Sequence, residues 1–200
     1  MPSSVAEVVQ LLDIEQLEVN LFRGSQPENS NLTRVFGGQV AGQAVMAALR
    51  TVPDDRHLHS LHVYFLLGGD PSLPIIYDVE SVRDGRSFNT RRVSARQHGK
   101  VIFFMTASFQ VAEDGWEHQN ALPKTISPEE ATSLPDLIAM VDEKAAQEWQ
   151  QEWGGFESRY VGDPRPADDP SRETMPVVQQ MWFKVNEILP DDPNLHQAIF

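Results

Sequence analysis

Between Arg34 and Arg50 the chain carries apolar and small residues at helical spacing, and few positions there are left for water. Val35, Val40, Ala44, Ala47 and Ala48 recur at steps of three and four, and Gly38, Ala41, Gly42 and Val45 fill the rest of the inner surface. The pattern predicts a helix buried on nearly every side. Glycine inside a helix costs about 1 kcal/mol against alanine. Gly37, Gly38 and Gly42 therefore imply close approach of another backbone or of a ligand.

The flanking segments predict what surrounds that helix. Ser4-Val-Ala-Glu7 has the form of a capping box and leads a stripe of Val5, Val8, Val9 and Leu12, which reads as a short amphipathic helix. Leu17, Val19 and Leu21 alternate with Glu18 and Asn20, giving a strand, and Gly24 to Ser30 is polar turn material. Four segments of period two follow: Leu58–Leu67, Pro74–Val82, Ser87–Gln97 and Val101–Val111. In the first, His59, Leu61, Val63, Phe65 and Leu67 share one face, and Ser60, His62 and Tyr64 the other. In the last, Val101, Phe103, Met105, Ala107, Phe109 and Val111 form an apolar row. Asp84-Gly85 and His98-Gly99 are hairpin turns. The expectation is an α+β domain over residues 7–112, an antiparallel sheet curled around one helix.

Residues 113–174 read as a helical and Pro/Asp-rich connector. One helix starts at Ser127-Pro128, a second runs from Ser133-Leu-Pro135 to about Trp153, and Gly154 to Arg172 is a surface linker. The acidic residues from Glu129 to Asp169 read as a solvated face. Val177–Val185 is strand-like, and Asp192-Pro193 opens a helix through Phe200. The order of strand, loop and helix start repeats that of Leu17 to Gln39, so 175–200 reads as the truncated start of a second copy of the same fold. A helix ending on Ile199 and Phe200 without a cap is expected to continue.

Composition narrows the chemistry. The 200 residues hold no cysteine, which removes disulfides, thiolate metal sites and cysteine nucleophiles. A net charge of −13 argues against a nucleic-acid partner. No apolar run of membrane-spanning length and no signal-peptide pattern occurs, so the expectation is an intracellular, cytoplasmic protein without a membrane span. No metal or cofactor is implied.

Several blocks carry a resemblance. Leu21-Phe-Arg-Gly24, Val35-Phe-Gly-Gly-Gln-Val-Ala-Gly-Gln43, His59-Ser-Leu-His-Val-Tyr-Phe65, Gly69-Asp-Pro71, Arg83-Asp-Gly-Arg-Ser-Phe88, Gln97-His-Gly-Lys100, Ala107-Ser-Phe-Gln110 and Glu117-His-Gln119 are similar to signature blocks of the acyl-CoA thioesterase II family. That family includes bacterial enzymes and peroxisomal choloyl-CoA or long-chain acyl-CoA hydrolases. Trp182-Phe-Lys184 and Pro190–His196 resemble the start of the family's second half. The resemblance implies a double hotdog fold, acyl-CoA as substrate, no cofactor, and a peroxisomal location if the source is eukaryotic. It also implies that the hydrolytic Asp, Thr or Ser, and Gln lie beyond Phe200, so no catalytic residue is placed on this chain. Self-association into a homo-oligomer is expected, because the cut edge of the second copy should bury itself against another chain.

Thioester hydrolysis needs oxyanion donors, an acyl slot and an anchor for the CoA phosphates. Gly37, Gly38 and Gln39 offer backbone N–H groups at a helix start, or else serve packing. His59 is a candidate substrate-side histidine or a satisfied core or rim residue. Arg91 and Arg92, with Arg83, Arg86, Arg96 and Lys100, form a basic group suited to a polyphosphate, or else a solvated counterweight to the acidic connector. The rivals to a thioesterase are a hotdog hydratase and a non-catalytic acyl-CoA-binding or assembly module. Gly37-Gly38-Gln39 is also the release-factor tripeptide, which is set aside because here it opens an apolar helix in an acidic chain.

Overall fold

The structure is a computed structural model, and it describes residues 2–28, 31–162, 170 and 179–200. The chain divides into two units, the first built mainly of Ala6–Gly115 with Leu189–Phe200 and the second mainly of Trp116–Ile188.

In the first unit, helix α1 (Val5–Leu12) precedes strands β1 (Glu15–Glu18) and β2 (Leu21–Gly24). The single strand expected through Leu17, Val19 and Leu21 is instead a hairpin, with Val19 and Asn20 at its turn and an irregular register between Gln16 and Glu18. Helix α2 (Gly37–Leu49) follows, then β3 (His57–Phe65), β4 (Ile75–Asp84), β5 (Phe88–Gln97) and β6 (Lys100–Gln110). The six strands form one sheet in the order β1-β2-β4-β5-β6-β3, every neighbouring pair antiparallel.

The sheet's inner rows meet α2. Ile75, Tyr77 and Val79 of β4, Val93 and Ala95 of β5, and Phe103, Met105, Ala107 and Phe109 of β6 are buried together with Val40, Ala44, Ala47 and Ala48. Each of the larger side chains among them, withdrawn from water, stabilises the fold by about 1.5–3 kcal/mol, and each alanine by less. The expected encasement of α2 is therefore what holds this unit together. Short hairpins set the register. His98 and Gly99 both take positive φ, 50° and 71°, the backbone of the tight turn that best matches strand twist.

Helix α5 (Pro193–Ile199) lies on α2 where the small residues leave room. A Cβ added at Gly42 would sit 3.0 Å from the Ala198 carbonyl oxygen and 3.0 Å from Leu12 Cδ2. Close approach of a second backbone is thus what Gly42 provides. Gln43 is fully buried beside it, donating from Nε2 to the Leu11 and Ser25 carbonyls (2.8 and 3.0 Å) and accepting from Tyr77 Oη (2.8 Å). Burial pushes the Tyr77 hydroxyl well above its usual range, so it remains a donor.

Strand β3 departs from expectation. It forms the sheet's edge, and its apolar row is not core: Leu61 is 45% and Phe65 58% exposed. A register shift between Leu58 and Ser60 also takes His59 out of the row assigned to it.

The second unit holds β7 (Thr132–Ser133), α3 (Leu134–Ala139), α4 (Glu143–Trp153), β8 (Phe156–Gly162) and β9 (Gln180–Val185). The capping box at Ser127 forms, with Ser127 N donating to Glu130 Oε2 (3.0 Å), yet only a turn follows. The helix expected from Ser133 to Trp153 is two helices, because Asp142 caps a new start by accepting from Lys144 N and Ala145 N. Part of the expected linker is β8, which pairs antiparallel with β9 and with β7. Residues 163–169, 171 and 172 of that linker, and the start of the strand expected at Val177, lie outside the described residues.

Candidate functional site

The residues singled out in the sequence do not converge. Gly37, Gly38 and Gln39 form the first turn of α2, where Phe36 at the cap position contributes no side-chain hydrogen bond to the helix's opening N–H groups. Phe65, at the far end of β3, reaches this turn: a Cβ on Gly37 would lie 3.0 Å from its ring. A Cβ on Gly38 would lie 2.3 Å from the Phe36 ring. Both glycines let an aromatic ring lie against the helix start. The Gln39 side chain is buried and occupied, donating to Gln26 Oε1 (2.9 Å) and the Ser25 carbonyl (3.3 Å).

His59 is six residues from Phe65 along β3, a separation of about 20 Å at strand rise. It is exposed, shares a hydrogen bond with Ser108 Oγ (2.9 Å) and stands edge-on to Phe88 at 5.9 Å. It is neither a core residue nor a neighbour of the α2 start.

Arg91 and Arg92 are separated by the same period-two rule that organises the sheet. Arg91 points inward and is 2% exposed. Its Nε donates to Thr51 Oγ1 (2.9 Å), Nη2 to the Thr51 carbonyl (2.8 Å) and to Asp84 Oδ1 (2.6 Å), and Nη1 to the Arg83 and Thr90 carbonyls. Every nitrogen of the guanidinium is used within the protein, which leaves nothing for a phosphate. Arg91 is corrected from ligand residue to internal tie. Bonds from Arg91 and Asn89 hold the Asp84 carboxyl below its ordinary range. Arg92 faces outward and pairs with Glu80 at 3.2 Å. The turn end of the basic hairpin, with Arg83 and Arg91, lies at the C-terminal end of α2, where Thr51 meets Arg91, about 20 Å from Gly37 by helix rise, whereas Arg96 and Lys100 flank Gln97 at the opposite end of β5.

What the α2 start does adjoin is a cavity of about 340 Å³ lined by Arg34, Val35, Gly37, Val40, Phe65, Leu66, Leu67, Gly68, Gly69, Ile102 and Phe103. The chain bends into it at the end of β3, where Leu66 N and Leu67 N both donate to the Ile102 carbonyl (2.9 and 3.1 Å). Opposite, Val35 N donates to the Gly69 carbonyl (3.0 Å). The Gly69-Asp70 corner is fixed by buried Gln97, which accepts from Asp70 N (2.7 Å) and donates to the Asp70 and Leu73 carbonyls (both 2.9 Å). Ser72 N and Oγ donate to Asp70 Oδ1 and, with His98 nearby, keep the Asp70 carboxyl low. Sequence reasoning gave Arg34 no role and did not bring the residues of this wall together. The available signal was the unbroken Phe65-Leu66-Leu67 triplet, which ends a strand just before Gly68-Gly69.

The second unit has a recess of about 380 Å³ lined by Pro128, Glu129, Glu157, Arg159, Trp182, Phe183 and Lys184. Its charges are already matched, since Glu157 takes both Arg159 and Lys184 and its carboxyl is held low by them. The smaller apolar cavity at α2 is therefore the better ligand site.

Residues 26–110 match the family model described as the acyl-CoA thioesterase N-terminal domain. The chain is 37% identical over 204 residues to "Acyl-CoA thioesterase 2" of Haemophilus influenzae, covering 100% of this chain and 69% of that protein. It is 46% identical over 135 residues to human "Acyl-coenzyme A thioesterase 8", covering 66% of this chain but only 41% of that one. Among solved structures, an acyl-CoA thioesterase II, TesB2, from Mycobacterium marinum superposes with a TM-score of 0.72 at 40% identity, over 96% of this chain and 65% of the other. A hot dog fold protein from Alicyclobacillus acidocaldarius superposes with a TM-score of 0.71 at 20% identity, which speaks to fold alone. The sheet wrapped on α2 is thus a hotdog, and the chain belongs to the acyl-CoA thioesterase II family.

Proposed function

We propose that the chain is the acyl-binding hotdog portion of an acyl-CoA thioesterase, hydrolysing acyl-CoA to free acid and CoA. Residues 7–112 make the first hotdog, 113–174 the connector, and 175–200 the opening of a second. In this reading the water-activating Asp, Thr or Ser, and Gln belong to residues this chain does not contain. The observation that carries it is the apolar cavity opening at the uncapped start of α2. An acyl chain lies against Phe65, Leu67, Ile102 and Phe103, and the thioester carbonyl meets the N–H groups of Gly37 and Gly38. Water adds to the carbonyl carbon, the C–S bond breaks, and CoA leaves as the thiol. Gln39 holds the loop before α2, whereas Arg92 and His59, on other parts of the sheet, are left with at most peripheral contact to the CoA moiety. The protein acts in the cytoplasm or, as one yeast relative's name suggests, in peroxisomes.

Among the described residues the lining of the cavity contains no carboxylate and no histidine, which favours a second reading, an acyl-CoA-binding module without chemistry of its own. Thiol release from palmitoyl-CoA separates them, measured on this chain alone and on the chain extended through a second hotdog. Release only from the extended form supports the thioesterase reading. Release from the 200 residues alone overturns the placement of the chemistry, and palmitoyl-CoA binding without release in either form supports the module. Self-association follows from the open β3 edge, where Leu61, Tyr64 and Phe65 are exposed, and light scattering of the purified chain checks it.

A further inference from the structure

The cavity at α2 contains one feature that a neutral thioester does not explain. Among the described residues that line it, Arg34 is the only one with a charged side chain, and the others are apolar or glycine. Arg34 is exposed, and among the described residues it has no ion-pair partner, in a chain whose net charge is −13. Its stem lies flat across the turn after β3. A Cβ added at Gly68 would lie 3.0 Å from Arg34 Cδ and 3.3 Å from Arg34 Nε, so glycine at 68 leaves room for the side chain at the cavity mouth.

We propose that Arg34 binds the carboxylate of a fatty acid whose hydrocarbon tail occupies the cavity. This deepens the thioesterase reading, and rests on it for the identity of the tail. A guanidinium against an apolar slot suits an anion joined directly to hydrocarbon, since the fork matches a carboxylate and the walls match the chain. The phosphates of CoA are a poorer fit. They are separated from the acyl group by an arm carrying amides, and besides Arg34 the described lining residues offer no polar side chain to hold those amides. Hydrolysis converts a neutral thioester carbonyl into a carboxylate, so Arg34 distinguishes product from substrate. The consequence is retention of the released acid and inhibition by it.

The test is direct binding, which requires no turnover. Dodecanoate and dodecanol are titrated into the 200-residue chain and into its R34Q and R34K variants at pH 8, with CoA as competitor. The expected result is that dodecanoate binds more tightly than dodecanol. R34Q weakens dodecanoate about fivefold and leaves dodecanol within twofold, and R34K retains part of the preference. The preference also shrinks in 0.5 M salt. Equal binding of acid and alcohol, no binding of either, or an R34Q effect on CoA rather than on dodecanoate overturns the proposal. Because thiol release is not measured, dodecanoate binding through Arg34 combined with no thiol release from palmitoyl-CoA by the extended form refutes the thioesterase reading alone.

Discussion

At its C-terminal end α2 is bolted to the sheet, whereas its N-terminal end opens onto unfilled space. Below the last turn, Thr51 receives Arg91 through both its hydroxyl and its carbonyl, and Arg91 in turn holds Asp84. Arg56 adds a second fork, donating to Asn89 Oδ1 (2.7 Å) and to the Arg86 carbonyl (2.9 Å). At the other end two glycines are overlaid by aromatic rings, and the cavity begins. Polar side chains that satisfy one another give rigidity, and polar groups left available beside apolar walls give binding. One helix carries both, which allows the open end to stay open without loosening the fold.

Substitutions should therefore divide by end. The largest effect is expected for R91A. It empties a site that is 2% exposed and removes the hydrogen bonds to Thr51, Asp84 and two carbonyls, at a cost of about 3 kcal/mol in urea unfolding. If R91A proves nearly neutral, the sealed end is not a tie. Q43L, at the middle of the helix, leaves the Tyr77 hydroxyl and two carbonyls without their partner, and about 2 kcal/mol should be lost. D84N sharpens the comparison through pH. The native carboxyl is held below its ordinary value of 3.8, so its contribution is complete above that value and is lost as pH falls through the lower native one. The stability gap between the native chain and D84N should be full at pH 6 and narrowed at pH 3, as read from urea midpoints. The smallest change in stability is expected for G37A, within about 0.5 kcal/mol because the Phe65 ring can swing aside. The same variant should weaken palmitoyl-CoA binding several-fold, since the methyl group intrudes where the cavity meets the helix. A G37A chain that unfolds early but binds normally would reverse the roles of the two ends.

The sequence was legible wherever a pattern reported burial on both of its sides. Small residues at 34–50 could only be a wrapped helix, and His98-Gly99 could only be a tight turn. Reading failed where pattern and environment part company. The apolar row of β3 has the alternation of a core strand, but it lies at an edge, and the sequence does not record what covers an edge. One inserted residue at Leu58–Ser60 was enough to move His59 off its row. The neighbouring arginines at 91 and 92 looked like one basic patch because charge was counted without applying the alternation used for the apolar residues. At Ser127 a correct capping signal preceded too little helix-forming sequence to propagate, and at Asp142 an equally good cap went unnoticed inside an acidic run. The cavity was the least legible feature, since it joins the end of β3, the start of α2 and β6.

The Gln43 linkage has a kinetic consequence. It gathers Leu11, Ser25 and Tyr77 from separate segments, the last of them 34 residues away, and none of these bonds is local. Only Tyr77 belongs to the sheet, so all three bonds need α1, the loop at Ser25 and the sheet to have met α2. Gln43 should therefore leave the refolding rate almost unchanged when replaced and act instead as a latch that slows escape from the native state.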